Sequence, residues 1–323
     1  MRTRLPLRAF VLLATSSAIL AAGAGGAGAA TVVNGDFETG TLSGWTEQSA
    51  PPPGEMFSAG GWFAYTGTTS PFEPELAPTV PPPPAGNFAA IVAQGGPGQR
   101  ILYQDVALEP YYSHQFSMLV YYRSQEPLIT PSPNTLGYEG ADNQQYRVDV
   151  IKPTASLDTL DPADILATVF ATSTGSPQTL AATTYSADLT TFAGQTVRIR
   201  LAEVDNEGVL NAGADSVAIQ STPPSNSIKI GKKKLNKKKG SAKVSITVPG
   251  AGLLTAKKKG SIKPVTKTIT AAATLKIALK PTSSALKKLN KKGKLKIKVP
   301  VTFTPTGGLP ATTKVKVTLK KDL

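Results

Sequence analysis

The 323-residue chain contains no cysteine and one histidine, His114. Without a thiol there is no disulfide framework, zinc ribbon, iron–sulfur ligation or cysteine nucleophile. One imidazole cannot furnish a multi-histidine metal site and rules out most serine triads. Gly-x-Ser-x-Gly, His-Glu-x-x-His, phosphate-loop and dinucleotide fingerprints are absent as well. Acid pairs such as Asp205 with Glu207, or Asp161 with Asp164, could be imagined as glycosidase carboxylates, but closely spaced acids in loops are usually solvated. The chain is therefore expected not to be an enzyme. Past the first 22 residues no apolar run approaches the roughly 20 residues that cross a bilayer.

What is present is charge, and it is segregated. Residues 1–30 carry +3; residues 31–224 hold 6 basic and 20 acidic side chains; residues 225–323 hold 26 lysines against Asp322 alone. The net +14 thus hides an acidic segment at −14 and a basic one at +25, an asymmetry that predicts two domains facing different partners. Residues 1–29 read as a secretory signal peptide: Arg2, Arg4 and Arg8, an apolar run from Ala9 to Ala22, then Ala27-Gly-Ala29. The expected location is extracellular or at the cell envelope.

From Thr31 to about Thr222 the hydrophobic period is two, which predicts an antiparallel sandwich. Phe116, Met118, Val120 and Tyr122 share one phase, as do Tyr146, Val148 and Val150, and again Val197, Ile199 and Leu201. Further strands are expected at 88–93, 100–108 and 216–220, and a short helical turn at Asp161 to Leu166. Prolines at 51–53, 71, 74, 78 and 81–84 mark loops, since proline lacks the N–H a central strand needs.

On the phase opposite the core lie Arg123, Arg147, Arg198 and Arg200, four of the six basic residues of the acidic segment, together with Ser117 and Asp149. Guanidinium rows beside a carboxylate could grip sugar hydroxyls or anionic sugars; a cross-strand charge ladder is the alternative. Trp45, Trp62, Tyr65, Tyr111, Tyr112, Tyr121 and Tyr138 could stack on sugar faces, with core packing the ordinary fate of each. Trp62 and Tyr65, between two proline-rich loops, and Tyr121 join the arginines as candidate ligand residues. His114 reads as a surface or loop residue.

Asn34-Gly-Asp-Phe-Glu-Thr-Gly40 with Leu42-Ser-Gly-Trp45, and Ala214-Asp-Ser-Val-Ala-Ile219 near the far end, resemble the opening and closing strands of galactose-binding-like jelly-roll domains, a group that includes many carbohydrate-binding modules. The middle, with Tyr103-Gln-Asp-Val106, Asn143-Gln-Gln-Tyr-Arg-Val-Asp149, Leu189-Thr-Thr-Phe-Ala-Gly-Gln195 and Glu203-Val-Asp-Asn-Glu207, is similar to secreted bacterial jelly-roll proteins of unassigned function. The resemblance implies a jelly roll over residues 30–222, with Trp45 a packing residue and a glycan as ligand. It also implies a structural Ca²⁺ between the end strands, held by Glu38 and Asp215 with Asp36 as a less certain ligand; the alternative is that these are solvated loop acids.

Residues 223–227 form a Pro/Ser linker, and residues 228–323 alternate lysine with aliphatics, as in Lys294-Leu-Lys-Ile-Lys-Val299 and Lys314-Val-Lys-Val-Thr-Leu-Lys320. About seven half-buried strands suggest an immunoglobulin-like sandwich, and the segment resembles small C-terminal immunoglobulin-like modules of secreted actinobacterial proteins. Lys233-Lys-Leu-Asn-Lys-Lys238 recurs as Lys287-Lys-Leu-Asn-Lys-Lys292, each copy preceding a strand. From Ser225 onward the only aromatic is Phe303 and arginine is absent, so base stacking and bidentate base readout lack their groups. The basic segment suits an anionic envelope polymer. A solubilising surface and docking against the acidic domain are the alternatives.

The expectation is an all-β, non-catalytic recognition protein, with a glycan held by the first domain and an anionic envelope polymer by the second. A structural or adhesive extracellular protein with no sugar site is the runner-up.

Overall fold

Alternation of apolar and polar residues builds nearly the whole molecule. The computed structural model describes residues 30–51, 59–72, 75 and 79–322; the expected signal peptide lies outside the described residues. Ten strands form the first sandwich: β1 Thr46–Ala50, β2 Ala59–Tyr65, β3 Ala89–Gly95, β4 Gly98–Ala107, β5 Ser113–Ser124, β6 Gln144–Ile151, β7 Ile165–Ala171, β8 Thr179–Asp188, β9 Thr196–Asp205 and β10 Leu210–Thr222. They pair antiparallel into two five-stranded sheets, ordered β1-β4-β9-β6-β7 and β2-β3-β10-β5-β8. The three in-phase sets read from the sequence all enter one core between these sheets, with Trp45, Trp62 and Leu210.

Parts of the outer faces of these sheets are covered too. Leu136 is buried against Ile101, Ala202 and Val204 on the outside of the first sheet, with Tyr138, Leu157 and Leu160 packed around them. The segments around residues 130–142 and 152–164 therefore form a third layer. On the second sheet, Val80 packs with Tyr65, Ala89, Ile91 and Tyr121. Tyr121 lies so close to Gly213 that a Cβ there would meet its Cζ at 2.2 Å, so a side chain at position 213 is excluded by space.

The short turn expected at Asp161 forms, with Asp164 N–H and Ile165 N–H reaching the Asp161 carbonyl at 2.9 and 3.2 Å, and it ends where β7 begins at Ile165. One local expectation is corrected. His114 is buried on β5: its Nε2 donates to the Glu109 carbonyl at 2.9 Å and its Nδ1 lies 3.0 Å from Ser221 Oγ.

Seven strands form the second sandwich: β11 Lys229–Asn236, β12 Ser241–Val248, β13 Gly252–Lys258, β14 Ile262–Ile269, β15 Ala273–Leu279, β16 Lys294–Pro305 and β17 Ala311–Lys320. Their sheets are ordered β11-β12-β15 and β14-β13-β16-β17. This sandwich has its own core, including Val244, Ile246, Leu254, Val299, Val301 and Phe303. The repeated hexapeptide takes two different structures. Its first copy ends β11, whereas its second lies in α1, Ser283–Lys292. Flanking residues decide: Thr282 caps α1 by accepting from Ala285 N–H, and Gly293 closes it at φ 62°, left-handed.

Candidate functional site

The expected sugar-binding row on the first sheet is a buried charge network. Asp149 on β6 accepts from Arg147 Nε at 2.6 Å and Nη2 at 2.8 Å, from Arg200 Nη2 at 2.6 Å and from Thr168 Oγ1 at 3.0 Å. Arg200, on neighbouring β9, sends Nη1 to the carbonyls of Leu157 and Thr159 at 2.7 and 2.8 Å. It thereby ties the covering segment to the sheet. Asp149 and Arg200 are 0 % exposed and Arg147 7 %. Burial pushes the Asp149 carboxyl up, but hydrogen bonds and charge from the two guanidiniums outweigh it and hold it below its ordinary value. The ligand role expected of Arg147, Asp149 and Arg200 is therefore corrected: the outward phase is as read, but a third layer seals it from any glycan.

The aromatic candidates are likewise enclosed. Trp62 points into the core against Tyr146, ring centroids 6.3 Å apart. Tyr65 and Tyr121 share a 3.0 Å hydroxyl contact beneath the 80s loop, where Tyr65 donates to the Pro81 carbonyl at 2.6 Å. Burial pushes Tyr65 up to about 12. These three are packing residues, correcting the ligand role expected of them. Trp45 does pack, against Phe37, as the resemblance implies.

Two candidates remain reachable. Arg123 is exposed and donates to the Thr79 carbonyl at 3.1 Å. Arg198 forms a bidentate pair with Asp105, Nε at 2.6 Å and Nη2 at 2.9 Å, and its guanidinium sits 4.5 Å from the Tyr103 ring centroid. They stand on different sheets, so the four arginines do not make one surface.

Glu38 and Asp215 converge on the same loop, whose amides satisfy them. Glu38 Oε1 accepts from Asn87 N at 2.8 Å and Phe88 N at 2.9 Å, and Asp215 Oδ2 accepts from Ala85 N at 3.0 Å. The amides of Phe88 and Asn87 hold Glu38 below its ordinary range. Burial pushes Asp215 up to about 6, with Glu38 and Asp36 adding to the rise. Backbone donors thus fill acceptor positions that a cation would need. Asp36 reaches back to Glu38 N at 3.4 Å. Among the described residues no three acid, cysteine or histidine side chains are grouped to hold a metal, so a Ca²⁺ here would have to draw the rest of its shell from backbone carbonyls beside Glu38 and Asp215.

The sequence reading missed a second buried charge group. Arg100 on β4, Glu203 on β9 and Tyr146 on β6 are direct neighbours across three strands, all 0 % exposed. Neither Glu203 oxygen has a hydrogen-bond partner, and burial, reinforced by nearby Asp205, raises its carboxyl well above the usual range. Burial lifts Asp205 to about 7 despite the amides of Leu210 and Gly208. Glu203, Tyr146 and Arg100 all keep the inward phase of their strands, shared with Leu201, Val148 and Leu102, so the period of two places them inside and only the two charges speak against it.

The accessible concave surfaces of the second sandwich are lined with lysine. A groove of about 460 Å³ on the outer face of the four-stranded sheet holds Lys258, Lys296, Lys298 and Lys316. A second, of about 500 Å³, lies on the outer face of the three-stranded sheet and holds Lys232, Lys233, Lys234, Lys243 and Lys276. A third, of about 470 Å³, runs where β14 and β15 meet and holds Lys263, Lys267, Lys276 and Lys280. Lysines even stand directly opposite one another in the ladders, Lys234 to Lys243, Lys294 to Lys320 and Lys298 to Lys316. Like charges so placed oppose folding, and among the described residues no lysine of this sandwich has an acidic ion-pair partner.

No family model matches the chain, and no curated protein matches it. Among solved structures it is similar to the carbohydrate-binding module TmCBM61 in complex with β-1,4-galactotriose (TM-score 0.35, 10 % identity, 59 % of this chain and 97 % of that one). It is also similar to a cleaved adhesin domain of Lys-gingipain from Porphyromonas gingivalis (0.34, 14 %, 58 % and 96 %). A third is the adhesin domain of Epf from Streptococcus pyogenes (0.30, 11 %, 91 % and 97 %).

Proposed function

We propose that this chain is an extracellular, non-catalytic adhesive protein that holds an anionic cell-envelope polymer on its basic sandwich, with the first sandwich a jelly roll that serves as a rigid partner module. The carrying observation is the three lysine-lined grooves in a sandwich whose sole acid is Asp322. Uncompensated like charge is a cost that a bound polyanion offsets. Lysine without arginine or exposed aromatics suits tetrahedral phosphate, met as a point charge, better than planar carboxylates or bases. The three- and four-stranded sheets support the immunoglobulin-like reading of this module, and the sequence of residues 1–29 supports export. The full chain is expected to be retained on immobilised poly(glycerol phosphate) at 50 mM salt and released by several hundred millimolar. Lys234→Glu with Lys243→Glu should elute earlier; retention that ignores salt and these changes would remove the proposal.

A sugar-binding role for the jelly roll retains one specific support, the Arg198–Asp105 pair over Tyr103. A glycan array on the full chain, repeated with Tyr103→Ala, tests it; binding unchanged by that substitution excludes this site.

A further inference from the structure

We infer that the three lysine grooves form one belt, around which a single flexible phosphodiester polymer wraps; this rests on the anionic-polymer reading above. The belt follows from two joints. Lys276, on the edge strand β15, belongs both to the groove on the three-stranded face and to the groove at the β14–β15 seam. At the opposite edge, Lys233 of the three-stranded face donates its Nζ to the carbonyl of Lys316 at 2.9 Å, and Lys316 lines the groove on the four-stranded face. Basic surface therefore runs from one sheet, around the β17–β11 edge, across the other sheet and onto the β15–β14 edge.

The geometry selects the kind of occupant. Strands about 4.8 Å apart and sheets about 10 Å apart give this path a length of roughly 40 Å with two turns around edges. A stiff duplex cannot follow it, and the module has no stacking groups to hold bases. A linear polyol phosphate, flexible and carrying one negative charge per repeat, can. Its successive phosphates would meet lysines that face one another on neighbouring strands, about 5 Å apart across the ladder, as Lys298 and Lys316 do on one sheet and Lys234 and Lys243 on the other.

The experiment is a length series of poly(glycerol phosphate) titrated into the full chain at several salt concentrations. The grooves hold four, five and four lysines with Lys276 counted twice, twelve in all. At about 0.7 counterions released per phosphate neutralised, the salt slope should rise from roughly 3 for chains that fill one groove to roughly 8 for chains longer than about 40 Å. Long chains should bind one per protein. Combining Lys263→Ser, Lys267→Ser and Lys280→Ser should cut the long-chain slope by about 2 and remove one short-chain site while leaving the slope of short-chain binding to the other two grooves unchanged. A slope independent of length, or two long chains per protein with turbidity from bridging, would overturn the belt while leaving polymer binding intact. Absence of binding at every length would instead refute the reading on which the belt rests.

Discussion

Two aspartate–arginine pairs on the same sheet face allow a test of how burial sets the worth of an ion pair. Asp149 is fully buried and serves two guanidiniums. The Asp105 side chain is 40 % exposed and serves one, in the same bidentate geometry. Asp149→Ala leaves Arg147 and Arg200 enclosed without their counter-charge, a loss of about 3–5 kcal/mol. Asp105→Ala breaks a solvated pair, worth about 1 kcal/mol or less. At about 2–4 °C per kcal/mol for a domain of this size, calorimetry at pH 7 should show the transition of the first sandwich falling by roughly 10 °C in Asp149→Ala. Asp105→Ala should move it by no more than about 4 °C. The second sandwich, whose core is separate, should melt unchanged in both. The pH dependence has a definite sign. The guanidiniums, against the opposing effect of burial, hold Asp149 below its ordinary value, so its contribution is present above about pH 4 and is lost as pH falls through that lowered value. Equal losses in the two variants at pH 7 would refute the argument from burial.

Arg200→Ala should free the segment that Arg200 ties through the Leu157 and Thr159 carbonyls. Hydrogen exchange over residues 152–164 is expected to quicken at least tenfold more than exchange in β5 and β10, and uniform quickening would mean the segment is held by other contacts. Burial raises Asp205 to about 7 from 3.8, so between about pH 4 and 7 the folded chain keeps a proton that the unfolded chain has released, and stability falls as pH rises across that window. A shift of about 3 units sets an upper limit near 4 kcal/mol. In urea titrations Asp205→Asn should lose less stability between pH 5 and 7 than the parent, Glu203 and Asp215, both raised by burial, accounting for what slope remains; parallel curves would assign the pH dependence elsewhere.

The period of two correctly assigned faces but could not say what covers them. Phe116, Tyr146 and Val197 with their in-phase neighbours are core, and Arg147, Asp149 and Arg200 do lie on the opposite side. Whether that side meets water depends on where Leu136, Leu157 and Leu160 fold back, a non-local fact that alternation within a strand does not encode. Glu203 shows the converse: it continues the inward phase of Val197, Ile199 and Leu201, so a strict reading of period would have buried it, but its charge argued for solvent. The Lys-Lys-Leu-Asn-Lys-Lys copies mark the limit of local reasoning, since the same six residues end a strand at 233–238 and lie in α1 at 287–292. Thr282 and Gly293 outside the motif make the difference, and a cap is legible only once a helix is suspected.

The two sandwiches treat their outer faces in different ways, and this division motivates the proposal that the basic one recognises the polymer. In the first, folded-back segments cover much of one sheet and one corner of the other, so Arg147, Arg200, Tyr65 and Tyr121 end as internal struts despite their outward phase. The chain spends its polar outward residues there on fixing its own loops. In the second, most connections are short turns, as at Pro249 to Ala251, Lys259 to Ser261 and Thr306 to Pro310, and the one long connection forms α1, which buries Leu289 in the core rather than covering a lysine face. Loop length thereby decides display: an alternating strand whose connections fold back hides its polar side, and the same strand with short ones displays it. The acidic sandwich has the more varied side chains but leaves few of its candidate residues reachable, whereas the basic one offers a single chemical group many times over. A surface of that kind recognises charge spacing along a polymer rather than the identity of a sugar.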